Sequence, residues 1–172
     1  MKLETERLIL KGINESYTED ILKIRSNPEV NKFVQRNSPK NNYDALQFIL
    51  TIKEKTKNNQ TVYLGISLKD QPNLIGTICL WNFSEDRKTA EVGYELLPEY
   101  HRQGIMSEAL KAVLDFGFNE LHLEEIVAIT NKLNENSKGL LVKHDFILLE
   151  GKEDEGFPDN IIFSLKRLSG GV

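Results

Sequence analysis

Two stretches of strict two-residue alternation, each halted by a proline, constrain this chain more than any other feature. Val62, Leu64, Ile66 and Leu68 occupy every second position before Pro72-Asn73, and Ala90, Val92, Tyr94 and Leu96 do the same before Pro98. Side chains that alternate between opposite faces define a strand, and a strand with one apolar face belongs in a sheet buried on that face. Leu74 to Phe83 lies between the two and predicts a strand antiparallel to the first, joined to it through the Pro72-Asn73 turn. Beyond Pro98 the period changes. Met106, Leu110, Val113, Leu114 and Gly117 recur at helical spacing, so strand, glycine turn and helix follow one another directly.

The rest of the chain extends the same alternation of element types. Arg7 to Gly12 predicts an opening strand, and Ser16 or Thr18 can cap a helix carrying Ile21, Leu22 and Ile24 that stops at Pro28. Ala45, Phe48, Ile49 and Ile52, at offsets of 3, 4 and 7, predict an amphipathic helix from Tyr43 to about Asn58. Glu125 to Thr130 reads as a β-branched strand, Asn134 to about His144 as a helix burying Leu140 and Leu141, and Phe146 to Glu150 and Ile161 to Leu168 as closing strands. The sum is an α/β fold with a mixed sheet. Residues 1–168 are expected to form one domain, with 169–172 a flexible tail.

Composition narrows the function. With 172 residues, 40% of them hydrophobic, the chain can bury a sizeable core. A net charge of -4 argues against nucleic-acid binding, which needs clustered basic residues to displace counterions from phosphates. The single cysteine, Cys79, allows no internal disulfide, and no Cys/His spacing suggests a metal. No secretory leader or membrane span is legible, so a cytoplasmic location with no membrane partner is expected.

The segment from Tyr100 to Ala109 carries the most chemistry. Arg102, Gln103, Gly104, Ile105, Met106 and Ser107 open a long helix, where unpaired N–H groups and the macrodipole favour an anion. Gly104 lets the backbone approach a diphosphate, Arg102 can add a charge-assisted contact, and Ser107 can donate its hydroxyl. The same residues also serve a tight strand-to-helix turn. Neither a Gly-x-Gly-x-x-Gly nor a P-loop is present.

Taken together, Leu3 to Leu10, Ala90-Glu91-Val92-Gly93-Tyr94, Gly104 to Ala109, Asn134-Glu135-Asn136-Ser137, Phe146 nine residues after that serine, and Glu150-Gly151 resemble the GNAT acyltransferases, specifically the ribosomal-protein N-acetyltransferases of RimJ/RimL type. The order and spacing of these segments carry the resemblance across nearly the whole chain. It departs from the family's phosphate loop at His101 and Met106. The resemblance implies a mostly antiparallel, twisted sheet flanked by helices and splayed at the cofactor site. It implies acetyl-CoA as co-substrate, with Leu96 and Leu97 offering backbone groups to the pantetheine arm, Arg102 to Ser107 holding the pyrophosphate, Asn134 contacting the cofactor and Ser137 near the departing sulfur. It leaves room for a homodimer.

Amide formation from a thioester needs a neutral amine, a stabilised oxyanion and a proton for the leaving thiolate. A lysine amine is roughly 3.4 units from neutrality at pH 7, or about 4.6 kcal/mol, so a sparsely equipped site favours an α-amine such as a protein N-terminus. In some N-terminal acetyltransferases of this family a glutamate precedes the asparagine by five residues and a tyrosine follows it by seven; Ile129 and Leu141 stand at those positions. Ser137 is therefore the expected acid. Glu91 is the leading base, ahead of Glu95 and Glu150. The acidic stretch Glu150, Glu153, Asp154, Glu155 and Asp159 would draw a cationic acceptor or else simply solvate a hairpin. His101, His122 and His144 form no evident hydrolytic triad. The expectation is an N-acetyltransferase acting on a protein α-amine. An aminoglycoside or polyamine acceptor, an acyl-CoA sensor without turnover, and a purely structural interaction domain are the alternatives.

Overall fold

The computed structural model describes residues 1–169. Its elements are β1 (Lys2–Glu4), β2 (Leu8–Gly12), α1 (Thr18–Arg25), α2 (Asn42–Lys57), β3 (Thr61–Leu68), β4 (Gly76–Trp81), β5 (Thr89–Leu96), α3 (Ile105–Asn119), β6 (Glu125–Asn131), α4 (Glu135–Lys143), β7 (Ile147–Leu148) and β8 (Asn160–Lys166). The strands form one sheet in the order β1-β2-β3-β4-β5-β6-β8-β7. Every neighbouring pair is antiparallel except β5 and β6, which run parallel because α3 crosses over between them.

Each face of the sheet has its own apolar cluster. Leu64 and Ile66 of β3, Ile78 and Leu80 of β4, and Ala90 and Val92 of β5 pack against the face of α3 formed by Ile105, Ala109, Leu110 and Val113. On the opposite face Tyr63 packs with Ile21 and Ile24 of α1 and Ala45, Ile49 and Ile52 of α2. This corrects the expectation of a one-sided β3: Tyr63, Gly65 and Ser67, which the alternation assigned to solvent, are buried beneath the α1–α2 layer. A central strand covered on both faces need not be polar on either.

Three local details also differ from the sequence reading. The opening strand is a hairpin, with β1 paired to β2. The cap of the first helical segment is Asn14, whose side chain accepts from the Ser16 N–H at the head of a 3-10 turn over Glu15–Tyr17, while Thr18 bonds back to the Glu15 carbonyl. Of the two closing strands only the short β7 lies at the edge, because β8 inserts between it and β6. Residues 170–172 of the expected tail lie outside the described residues.

The pairing of β5 with β6 is brief, and this positions the site. Register holds at Thr89 with Glu125, Ala90 with Ile126 and Glu91 with Val127, then stops, although β5 runs on to Leu96 and β6 to Asn131. The splay expected from the resemblance is present. Alternate residues between Val92 and Leu96 turn their N–H and C=O groups into a gap with no strand to meet them.

The other edge of β5 is held tightly. A Cβ at Gly76 would lie 2.4 Å from the backbone oxygen of Glu95 and 3.0 Å from a Leu96 methyl. A backbone atom cannot step aside as a side chain can, so Gly76→Ala should lower the unfolding free energy by about 2 kcal/mol. Urea denaturation checks this; an unmoved midpoint would mean that β4 and β5 are free to separate.

Candidate active site

The gap between β5 and β6 opens into a cavity of about 1100 Å³ bordered by residues from both faces of the sheet, among them Trp81, Glu91, Tyr94, Ser137 and Asp154. Odd-numbered positions of β5 face the α1–α2 side. There Glu91 lies opposite Trp81 and Gly93 opposite Cys79. Tyr94 points the other way, toward α4. The gap thus joins two faces that a continuous sheet would keep apart.

Glu91 is 9% exposed. Burial pushes its carboxyl up to about 7; Asn82 offsets part of that rise and the Asp154 charge adds to it. It therefore exchanges a proton near neutrality, as a general base requires. Glu95, two positions beyond Gly93, is different: Arg25 approaches to 3.1 Å and Arg36 to 2.6 Å, and the Thr77 hydroxyl donates at 3.1 Å. Its oxygens are fully engaged. Glu150 is exposed at the end of β7 and does not border the cavity, whereas Asp154 and Asp159 of the acidic stretch do. Asp159 is paired with Lys132 at 2.9 Å, and Asp154 accepts from Asn160.

Ser137 sits in the first turn of α4, 7% exposed. Asn134 caps that helix by accepting from the Ser137 N–H at 3.2 Å, so the two residues of the Asn-x-x-Ser pattern are bound to each other. The Ser137 hydroxyl lies 2.6 Å from the Tyr94 hydroxyl. Burial raises the Tyr94 phenol to about 12, with the Ser137 bond pulling slightly the other way, so Tyr94 keeps its proton at any physiological pH. Sequence reasoning missed Tyr94, because its apolar ring satisfies the strand alternation and nothing along the chain points to a serine 43 residues away. Leu141, at the position where some relatives carry a tyrosine, is fully buried in the core, and Ile129 borders the cavity.

The start of α3 is built for close approach. Arg102 and Gly104 both have left-handed backbones, at φ 60° and 73°. Among the described residues, no protein acceptor meets the N–H groups of Gly104, Ile105, Met106 and Ser107. Ile105 and Met106 bury their side chains in the core, which leaves only their amides to face outward. The turn is fixed from the residue that precedes β2: Arg7 donates to the Gln103 carbonyl at 2.8 Å and pairs with Glu108 at 2.7 Å. Gln103 in turn donates to the Glu99 carbonyl.

Two contacts here were not legible in the sequence. The Ser107 hydroxyl lies 2.8 Å from Nε2 of His144, whose pKa is lowered by burial and then by Lys143. The ring of His101 lies 2.9 Å from the Leu96 carbonyl, while the Leu97 N–H is taken by the Ile75 carbonyl. The Leu97 carbonyl accepts from the Tyr100 N–H at 3.0 Å, so both backbone groups of Leu97, expected to serve the cofactor, are engaged within the protein.

Among the described residues no cluster of His, Cys, Asp or Glu is placed to hold a metal ion, and no helix is long and apolar enough to cross a membrane.

The chain is 35% identical over 144 residues, 84% of its length and 81% of the relative's, to the uncharacterized N-acetyltransferase YoaA of Bacillus subtilis (strain 168). Its fold matches the ribosomal-protein-S5-alanine acetyltransferase of Vibrio fischeri with a TM-score of 0.84 at 24% identity, covering 96% of each chain. The microcin C7 self immunity acetyltransferase MccE, solved with acetyl-CoA and AMP, matches with a TM-score of 0.79 at 19% identity, over 95% of this chain and 94% of that one. Residues 7–147 match the model of the acetyltransferase (GNAT) domain, and with most of its length accounted for in this way the chain belongs to the GNAT acetyltransferase family.

Proposed function

We propose that this protein transfers the acetyl group of acetyl-CoA to an amine, with Glu91 receiving the amine's proton and Ser137, backed by Tyr94, supplying one to the leaving sulfur. The observation that supports this reading is that the Glu91 and Ser137 side chains stand on opposite faces of the sheet and both border the β5–β6 gap. Acyl transfer needs that separation. The nucleophile must lose a proton on one side of the acyl carbon while the leaving group gains one on the other.

The residues present suit acetyl-CoA. The free amides of Gly104 to Ser107 would hold the pyrophosphate, with Arg102 adding charge from the exposed side of the turn and Gln103 keeping its shape. The unpaired edge of β5 down to Leu96 would receive the pantetheine arm, and Asn134 holds Ser137 beside it. The C–N bond forms as the C–S bond breaks. The ammonium proton passes to Glu91 and on to solvent; the Ser137 hydroxyl, oriented by its 2.6 Å contact with Tyr94, gives a proton to the sulfur and recovers one from water, while Tyr94 stays protonated.

The acceptor we assign is an α-amine, as at a protein N-terminus. A carboxyl near 7 takes a proton from an ammonium of pKa about 8 at little cost, whereas a lysine near 10.4 stands about 3 units higher. Polyamines and aminoglycosides are the weaker reading. A sensor without turnover is opposed by a buried Glu91 that titrates near neutrality and is not paired with a cation among the described residues. We also assign the cytoplasm, where Cys79, its thiol pushed up to about 12 by burial, would remain reduced and inert.

Thiol release from acetyl-CoA in the presence of N-terminal peptides tests the activity, and none with any amine would refute it. Ser137→Ala should lower kcat at least about tenfold and leave the acetyl-CoA KM nearly unchanged. Wild-type turnover in that variant would remove Ser137 from the mechanism.

A further inference from the structure

The cavity wall beyond Gly93 holds more positive charge than its own carboxylate can neutralise. Arg25 and Arg36 both contact Glu95, so two guanidiniums share one negative charge. All three are largely withdrawn from water, with side-chain exposures of 14%, 20% and 10%. A surplus cation in such a place is felt more strongly than one at the surface. Arg25 is held in position by stacking on Phe48, its guanidinium carbon 3.9 Å from the ring centre, and Arg36 is held by Asn31.

Neither arginine has used all its donors. Among the described residues, Nε and Nη2 of Arg25 and Nη1 of Arg36 meet no acceptor, yet no side-chain nitrogen there is both buried and unsatisfied. The free donors are therefore accessible from the open space that both residues line. The same two arginines also border an adjoining cavity of about 640 Å³, where the other charged groups, Lys40 and Asp44, offset one another. In that adjoining cavity the surplus comes from the arginine pair.

We infer that the Arg25–Arg36 pair is the binding site for an anionic group, carboxylate or phosphate, carried by the same molecule that presents its amine at Glu91. This rests on the acetyltransferase reading and specifies its substrate class. Glu91 and Glu95 are four residues apart on one strand, about 13 Å between Cα atoms, which sets the scale of a molecule that reaches from one to the arginines at the other. Amino acids, short peptides with an early acidic residue, and aminoalkyl phosphates fit. Polyamines and aminoglycosides, which carry only positive charge, would place a cation against the arginines. Bidentate guanidinium contacts suit either anion.

The test compares matched acceptors in the thiol-release assay with acetyl-CoA, each corrected for its amine pKa: glycine against glycinamide, Ala-Asp against Ala-Asn, and 2-aminoethyl phosphate against ethanolamine, with spermidine as the polycation. The anionic member should show at least tenfold higher kcat/KM in the carboxylate pairs, the phosphate pair, or both, which separates the two chemistries. Arg36→Gln should erase the preference while acetyl-CoA affinity stays unchanged, and Arg36→Lys should keep part of it. Calorimetric titration of the same pairs into the CoA-loaded protein reads the preference without turnover. Equal or better use of the neutral and cationic acceptors, or equal binding of each pair, overturns this inference and leaves the transferase standing. Absence of both CoA binding and thiol release fails the transferase reading, and this inference with it.

Discussion

Glu91→Gln should lower kcat/KM about a hundredfold or more, the range that a positioned general base contributes. The amide keeps the shape and burial of the side chain but cannot take a proton. In the wild-type protein the acid limb of the pH profile should fall at about 7, where the Glu91 carboxyl ionises. In the variant the reaction depends on amine that is already neutral, so the limb should move up to the acceptor's own pKa, near 8 for an α-amine. A variant with an unmoved acid limb would exclude Glu91 as the base.

The same substitution should act on stability in the opposite direction. In the unfolded chain the Glu91 carboxyl loses its proton near 4.5, and in the folded protein near 7. Between those values the folded state holds a proton that the unfolded state has released. Stability therefore falls as pH rises from about 4.5 to about 7 and levels off above it. Glutamine carries no such charge. Glu91→Gln should be more resistant to urea than wild type at pH 8.5, and the difference should vanish at pH 4. A gain in stability with a loss of rate separates a strained functional group from a structural one.

Gly104→Val should weaken coenzyme A binding at least tenfold, measured by calorimetry, and lower the thermal midpoint. At φ 73° a β-branched residue is a steric outlier, and its Cβ would lie 3.4 Å from the Arg7 guanidinium that holds the Gln103 carbonyl. The strain unseats the turn from which the amides of Gly104 to Ser107 project. Asparagine tolerates the left-handed region, so Gly104→Asn should keep most of the thermal stability and reveal how much of the loss is conformational. Unaltered coenzyme A affinity in the valine variant would mean that the pyrophosphate docks elsewhere.

Much of the fold was legible because burial writes a period into the sequence. The alternation in β5, the helical spacing in α3 and the glycine between them gave the strand–turn–helix unit nearly to its ends. Where periodicity was misleading, as in β3, the cause was a second layer of helices that a strand's own pattern does not report. Among the site residues, Glu91, Asn134, Ser137 and the Gly104 turn could be named because local spacing or resemblance marks them. Tyr94, Arg25, Arg36 and His144 could not be, since each acquires its part only through a partner between 37 and 70 residues away.

By itself the sequence determined the apolar faces of β5, α2 and α3 and the glycine turn that opens α3, since these follow from side-chain period and from the freedom a missing Cβ gives the backbone. Only the tertiary structure decided where β5 parts from β6, that two arginines close on Glu95, and that Glu91 titrates near neutrality. Those depend on distance and on exclusion of water, which are properties of the packed chain and leave no local pattern along it.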